Sequence, residues 1–299
     1  MTDRSLPGAA ARAAPLGLMF LAITSIGWGL NWPVMKHILT EWPPLSARGL
    51  TGVAGALLLA ALALARGESL AVPKPQRPRL LLAAFLNVTC WMTLMGLALL
   101  WLPASEAAVI AYTMPVWAAL LAWLLLGERM SWMRVVALVM AFAGIAALLG
   151  GNGIAVSRDK LLGIALVLVG AFTFALGTVT SKRWPTKLPL IAGSALQIGI
   201  GCVPVALAGL IIEQPRFDAL TGLGWTLMAY MTVVQFCIAY VCWFAALSRL
   251  PASVAAIGTL AVPVIGVVAS AVALGEPLGP AQIAALLFTL AGVVLATRS

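Results

Sequence analysis

Charge is what this chain has least of. Only 9% of its 299 residues are Asp, Glu, Lys or Arg, where a soluble domain carries about 25%, so a soluble globular fold is excluded. Acids are scarcer still, nine in all, and His37 is the single histidine. An integral-membrane enzyme needs clustered acids, histidines or metal ligands, and no acidic pair at useful spacing occurs, so no enzyme is expected. The four cysteines (Cys90, Cys202, Cys237 and Cys242) lie in apolar runs with no Cys-x-x-Cys pair. They read as small packing residues, and neither a disulfide framework, a metal site nor a cofactor is expected. Strands of alternating polarity with aromatic girdles are missing, which argues against a β-barrel.

What is present is apolar length. Hydrophobic residues make up 63% of the chain, the mean hydropathy is +1.07, and runs long enough to cross a bilayer, about 20 residues each, follow one another throughout. Cutting them at Pro, Gly and charge clusters predicts ten helices, roughly at 16–37, 43–65, 79–100, 104–126, 131–149, 161–181, 188–211, 221–247, 251–274 and 280–297. Arg4 and Arg12 precede an apolar stretch from Leu16 to Val34, which resembles a signal peptide. That stretch is too long for one and ends in Asn-Trp-Pro without a small-x-small cleavage pattern, so it reads as a retained first helix. The segment 150–160 divides the chain into halves 1–150 and 151–299 with five helices each. If the N-terminus is cytoplasmic, 13 Lys and Arg lie inside and 5 (Lys36, Arg48, Arg158, Lys160, Arg216) outside. That positive-inside bias places both termini in the cytoplasm of a bacterial cell, with the chain in its inner membrane. The net charge of +9 therefore reflects topology, and no nucleic-acid partner is expected.

The two halves share a hairpin. Residues 102–144 and 250–292 align without a gap at an offset of 148, with about a third of the positions identical. Leu-Pro-Ala-Ser opens both copies, Pro115 matches Pro263, and Leu-Gly-Glu ends both first helices at Glu128 and Glu276. Five helices per half put the first copy's start outside and the second's inside. The fold class expected is thus an all-α integral membrane protein, ten transmembrane helices in two inverted five-helix repeats. Inverted repeats suit alternating access around a midplane site.

Intramembrane polar groups mark candidate sites, because they are costly and face a bundle interior or cavity. The candidates are Asn31, Asn87, Tyr112, Gln197, Gln235 and Tyr240. Asn87 and Gln235 are themselves 148 apart, and a carboxamide offers donors and an acceptor without charge, which suits a zwitterion. The competing reading is that such amides only tie helices together. Trp28, Trp91, Trp117 and Trp243 lie deep in their spans, and Trp28 and Trp91 are expected to line a cavity. Trp32, Trp42, Trp101, Trp132 and Trp184 sit near span ends and read as interface anchors. Pro115 and Pro263 interrupt apolar spans at matched positions, as do Pro33 and Pro204 elsewhere, and Pro115 and Pro263 are expected to act as hinges. Glu128 and Glu276 read as turn residues. No acid and no cation is expected at the midplane.

Trp28-Gly29-Leu30-Asn31-Trp32, Pro43 to Arg48, and the run from Pro115 through Leu126-Gly127-Glu128-Arg129-Met130-Ser131, echoed by Leu274-Gly275-Glu276, resemble the signatures of the drug/metabolite transporter superfamily, EamA type. Within it the chain is most similar to YddG-like exporters of aromatic or varied amino acids. The resemblance covers nearly the whole chain and implies export of a small-molecule substrate by alternating access, with the lipid bilayer as the other partner and a monomer sufficing. A broad drug or metabolite exporter stays open as the alternative. So does a channel, although no filter-like or re-entrant loop is visible. A nucleotide-sugar carrier would need cations for phosphate.

Overall fold

A lipid-embedded backbone must satisfy its own polar groups, so runs this apolar fold as helices. The computed structural model describes residues 7–127, 132–150, 158–247, 249–250 and 258–298, all helices and connections without a strand among them. Seven helices are long and apolar enough to cross a membrane, and three shorter apolar ones bring the number to ten. We number them α1 (Pro7–Ile38), α2 (Pro44–Ala65), α3 (Lys74–Ala98), α4 (Ala104–Leu126), α5 (Trp132–Gly150), α6 (Arg158–Arg183), α7 (Leu190–Glu213), α8 (Gly222–Trp243), α9 (Ala261–Leu274) and α10 (Pro280–Arg298). Glu128, Gly153 and most of the second Leu-Pro-Ala-Ser (251–253) lie outside the described residues, as does the 251–257 start expected for the ninth helix.

Packing repeats between the halves. In the first half α1 lies against α8 and α9, and in the second α6 lies against α3 and α4; α2 pairs with α7, α4 with α9, and α5 with α10. Adding five to each helix number turns every one of these pairs into another of them, as two halves related by a two-fold require. Large apolar side chains point outward, as at Leu57, Ile212 and Val272, while the interior is filled by alanines such as Ala63, Ala84 and Ala171. Small residues let membrane helices approach closely. At the α2–α7 seam a Cβ on Gly49 would strike the backbone of Ala206, and one on Gly209 the backbone of Ser46.

Two departures from ideal helix fall at repeat-matched places or within one residue of them. In α4 the helix breaks at Tyr112–Thr113, where Thr113 N–H donates to the Ile110 carbonyl at 3.0 Å and Val116 N–H to that of Thr113 at 2.9 Å. Thr259–Leu260, one residue short of the position equivalent at an offset of 148, is also a turn, directly before α9. Pro115 and Pro263 are therefore the second and third residues of the helices that follow these turns. A first-turn proline forfeits no internal hydrogen bond, so the two start helices and do not kink their interiors as the sequence had led us to expect. Pro33 and Pro204 do sit inside helices. The second departure is a π-helical stretch at Phe85–Thr89 in α3 and another at Met231–Ile238 in α8. They carry Asn87 and Gln235. Such bulges are frequent at functional sites.

The few acids tie the halves together. Glu213, ending α7, accepts from Leu45 N–H, Ser46 N–H and the Ser46 hydroxyl at 3.0, 2.7 and 2.6 Å. Glu68, beyond α2, accepts from Ala192 N–H in α7 at 2.8 Å. Glu276, after α9, accepts from Ala104 and Ser105 N–H at 2.6 and 2.8 Å and from the Ser105 hydroxyl at 2.5 Å. Glu41 takes Thr221 N–H and Oγ1–H, both at 2.8 Å, at the start of α8. Each is a carboxylate on a helix N-terminus, where donors lack internal partners and the dipole favours an anion. Glu276, expected to be only a turn residue, is a cap on a helix of the opposite half.

Candidate functional site

The π stretch of α8, the turn in α4 and the start of α9 converge on one interior cavity, while the π stretch of α3 lies on a neighbouring chamber. Its volume is about 110 Å³, and it is lined by Trp28, Asn31, Trp32 and Met35 from α1, Arg48 from α2, Trp91, Met92 and Met95 from α3, Tyr112 and Met114 from α4, Phe174 from α6, Gln235 and Tyr240 from α8, and Val262 from α9. Both halves therefore build it. A second chamber of about 120 Å³ is lined by Asn87, Val88, Phe174, Ser194, Gln197, Ile198 and Tyr240. Phe174 and Tyr240 wall both chambers.

The walls are mostly aromatic. Trp28 meets Tyr240 edge-on at 5.4 Å between ring centroids and lies 5.9 Å from Trp243, while Trp91 and Phe174 are 5.0 Å apart. Trp28 Nε1–H reaches the Gln235 backbone carbonyl at 3.4 Å. The polar contribution is a small set of unengaged oxygens. Asn31 Oδ1, Gln235 Oε1 and Asn87 Oδ1 are buried and accept no hydrogen bond among the described residues. An unpaired buried carbonyl costs free energy, so each is an acceptor waiting for a donor.

Of the eight side chains picked from sequence, the structure brings Trp28, Asn31, Trp91, Tyr112, Gln235 and Tyr240 to the first cavity. It puts Asn87 and Gln197 in the second, with Tyr240 shared. The matched amides Asn87 and Gln235 thus face neighbouring chambers, not one. Several expectations about other residues change. Trp32 is 4% exposed and lines the cavity, and Trp42 is buried with its Nε1–H on the Arg216 carbonyl at 2.7 Å, so neither anchors at the interface. Trp132 and Trp184 are exposed, as anchors would be. Trp117 sits away from the cavity between Phe142 and Phe172.

Arg48 is the largest change. Counted near the outer end of the second helix, it lies there, one turn into α2, yet is 3% exposed and on the cavity wall. Its Nε–H donates to the Met92 carbonyl at 2.9 Å, and its terminal nitrogens touch the thioether sulfurs of Met35 and Met92. Gly96 leaves space for its stem, since a Cβ there would meet Arg48 Cδ. Among the described residues no carboxylate lines either chamber. Glu106, buried at the head of α4, pairs with Lys160 at 3.1 Å.

A ten-helix bundle with a central cavity built by both inverted halves is the architecture of a membrane transporter. The profile of the EamA-like transporter family matches residues 15–150 and again 161–298, and the chain belongs to that family. It is 34% identical to the uncharacterized transporter YvbV of Bacillus subtilis (strain 168), over 93% of this chain and 90% of that one. A protein of Salmonella typhimurium (strain LT2) named "Probable amino-acid metabolite efflux pump" is 28% identical over 92% and 93%. A crystal structure 23% identical in sequence superposes with a TM-score of 0.66, covering 96% of this chain and 97% of its own. That likeness concerns the fold. Family and relatives together make this a multi-pass membrane protein of a transporter family, with a small molecule as its substrate.

Proposed function

We propose that the chain exports small metabolites, amino acids foremost, across a bacterial inner membrane by alternating access around the cavity. The observation that carries this reading is the pairing of aromatic walls with unengaged amide oxygens inside the bundle. An ammonium donates to Asn31 and Gln235, and the aromatic rings take an apolar or aromatic side chain while discriminating weakly among such side chains. The relative named for amino-acid metabolite efflux supports the same substrate class. All the caps by Glu41, Glu213 and Glu276 lie on the face where α1 ends, whereas the second chamber extends toward the start of α7. A substrate released outward would enter by way of Asn87 and Gln197 and leave once those caps part.

Counterflow with purified protein in liposomes tests the reading, using labelled amino acids, a drug panel and an imposed pH gradient. Removing a buried hydrogen-bond partner costs about 1–3 kcal/mol, so Gln235→Ala and Asn87→Ala are expected to weaken apparent affinity for amino acids about 5- to 100-fold, with membrane insertion intact. Wild-type affinity in both variants would make the amides helix glue, and uptake of drugs without amino acids would favour the broad exporter. Orientation has its own measurement. A reporter fused after Arg77 should read cytoplasmic and one after Gly153 outside; two reversed signals would refute the inverted assignment.

A further inference from the structure

We propose that Arg48 is the subsite for a carboxylate on the substrate, so that the transported class is carboxylate-bearing and simple amines are excluded. This rests on the cavity being the transport site. A guanidinium is always charged and offers five N–H donors. At Arg48 one donor has a carbonyl and two have only thioether sulfurs, which are weak acceptors. No carboxylate pairs with it among the described residues, although the side chain is 3% exposed. An unpaired buried charge is among the costliest features a membrane bundle can hold and by default marks a functional site.

Six of the acids are occupied elsewhere. Glu41, Glu68, Glu213 and Glu276 cap helices, Glu106 holds Lys160, and Asp218 holds Arg216 at 2.6 Å. Lys36, the nearest comparable cation on α1, is spent on the carbonyls of Leu99 and Leu102. Arg48 is left facing the cavity without a counter-ion. A second observation points the same way. The helices Met114–Leu126 and Ala261–Leu274 begin at the cavity, whose wall includes Met114 and Val262 from their first turns. The positive ends of two half-helices therefore reinforce the guanidinium. With Asn31 and Gln235 presenting acceptors, the cavity carries a cationic pole for a carboxylate and neutral acceptors for an ammonium.

The test titrates the full-length protein in detergent and follows intrinsic tryptophan fluorescence, since Trp28, Trp32 and Trp91 line the cavity. Probes are matched triplets: phenylalanine, 3-phenylpropionate and phenethylamine, then leucine, 4-methylpentanoate and isoamylamine. Carboxylate-bearing probes are expected to bind at least about 10-fold more tightly than the amines, as loss of a charge-assisted hydrogen bond implies. Arg48→Met, which keeps volume and apolar packing, should erase that preference. Amines that bind as well as acids to the wild type overturn the proposal, as does a carboxylate preference surviving in Arg48→Met. If that variant does not fold, the wild-type triplets decide, with Arg48→Lys retaining part of the preference. Amino acids that counterflow under Gln235 control while carboxylates show no advantage would sink the Arg48 assignment and leave the cavity reading standing. Absence of any probe binding together with indifference to Gln235→Ala would remove both.

Discussion

Replacing Gly49 by valine is expected to abolish folded protein. A Cβ at Gly49 would fall on the backbone of Ala206, and one at Gly209 on the backbone of Ser46, so α2 and α7 touch main chain to main chain along their seam. Overpacking a core costs about 1–3 kcal/mol when side chains can shift. Backbone cannot shift without moving a whole helix, and α2–α7 is the most extensive pairing in the bundle. Size-exclusion chromatography in detergent should show aggregate or no protein for Gly49→Val. Gly222→Ala, where an added Cβ meets nothing within 4 Å, should elute as the wild type. A monodisperse Gly49→Val would mean that the seam is not held by close approach.

The second large effect is expected at Glu276. Its carboxylate satisfies two N–H groups and a hydroxyl on Ala104 and Ser105, which are 0% and 1% exposed. Glu276→Ala strands those donors at about 1–3 kcal/mol each, so the thermal midpoint should fall by many degrees. Glu276→Gln, with one acceptor oxygen and a donor turned against donors, should fall less. An unchanged midpoint in Glu276→Ala would reduce the cap to a passive contact. Acid should loosen the same face. Hydrogen bonds from the Thr221 N–H and hydroxyl hold the Glu41 carboxyl below its ordinary value of 4.5. A depressed carboxylate contributes stability that is complete above its unfolded value and is lost as pH falls through the folded one. The midpoint should therefore hold near neutrality and decline below about pH 4.5, less so in Glu41→Gln.

Hydropathy carried most of the architecture. The ten spans and the repeat follow from run length and from Pro, Gly and Glu in register, since lipid leaves the backbone no alternative to helix. The site was half legible for a related reason. Asn31, Gln235 and Tyr240 stand out because a polar side chain in a long apolar run has few causes. Arg48 did not, because it comes four residues after the first residue of α2 and counting along the chain assigns it to the rim. Its inward direction depends on helix rotation. In a helix that faces lipid on one side and alanine on the other, both faces are apolar, so no stripe reveals that rotation. Gly96, whose missing Cβ admits the arginine stem, was the available trace. Trp32 was misplaced by the same counting. The π stretches around Asn87 and Gln235 have no sequence signature, since they arise from tertiary packing.

The reciprocal caps also set an order for synthesis. α2 begins with donors that Glu213 satisfies, and α4 with donors that Glu276 satisfies. When the first five helices have entered the membrane, the helices that lead to those acids have not yet joined them, so that half waits with two helix starts incomplete. Its final arrangement is reached only when the last fifth of the chain, which carries Glu276, arrives.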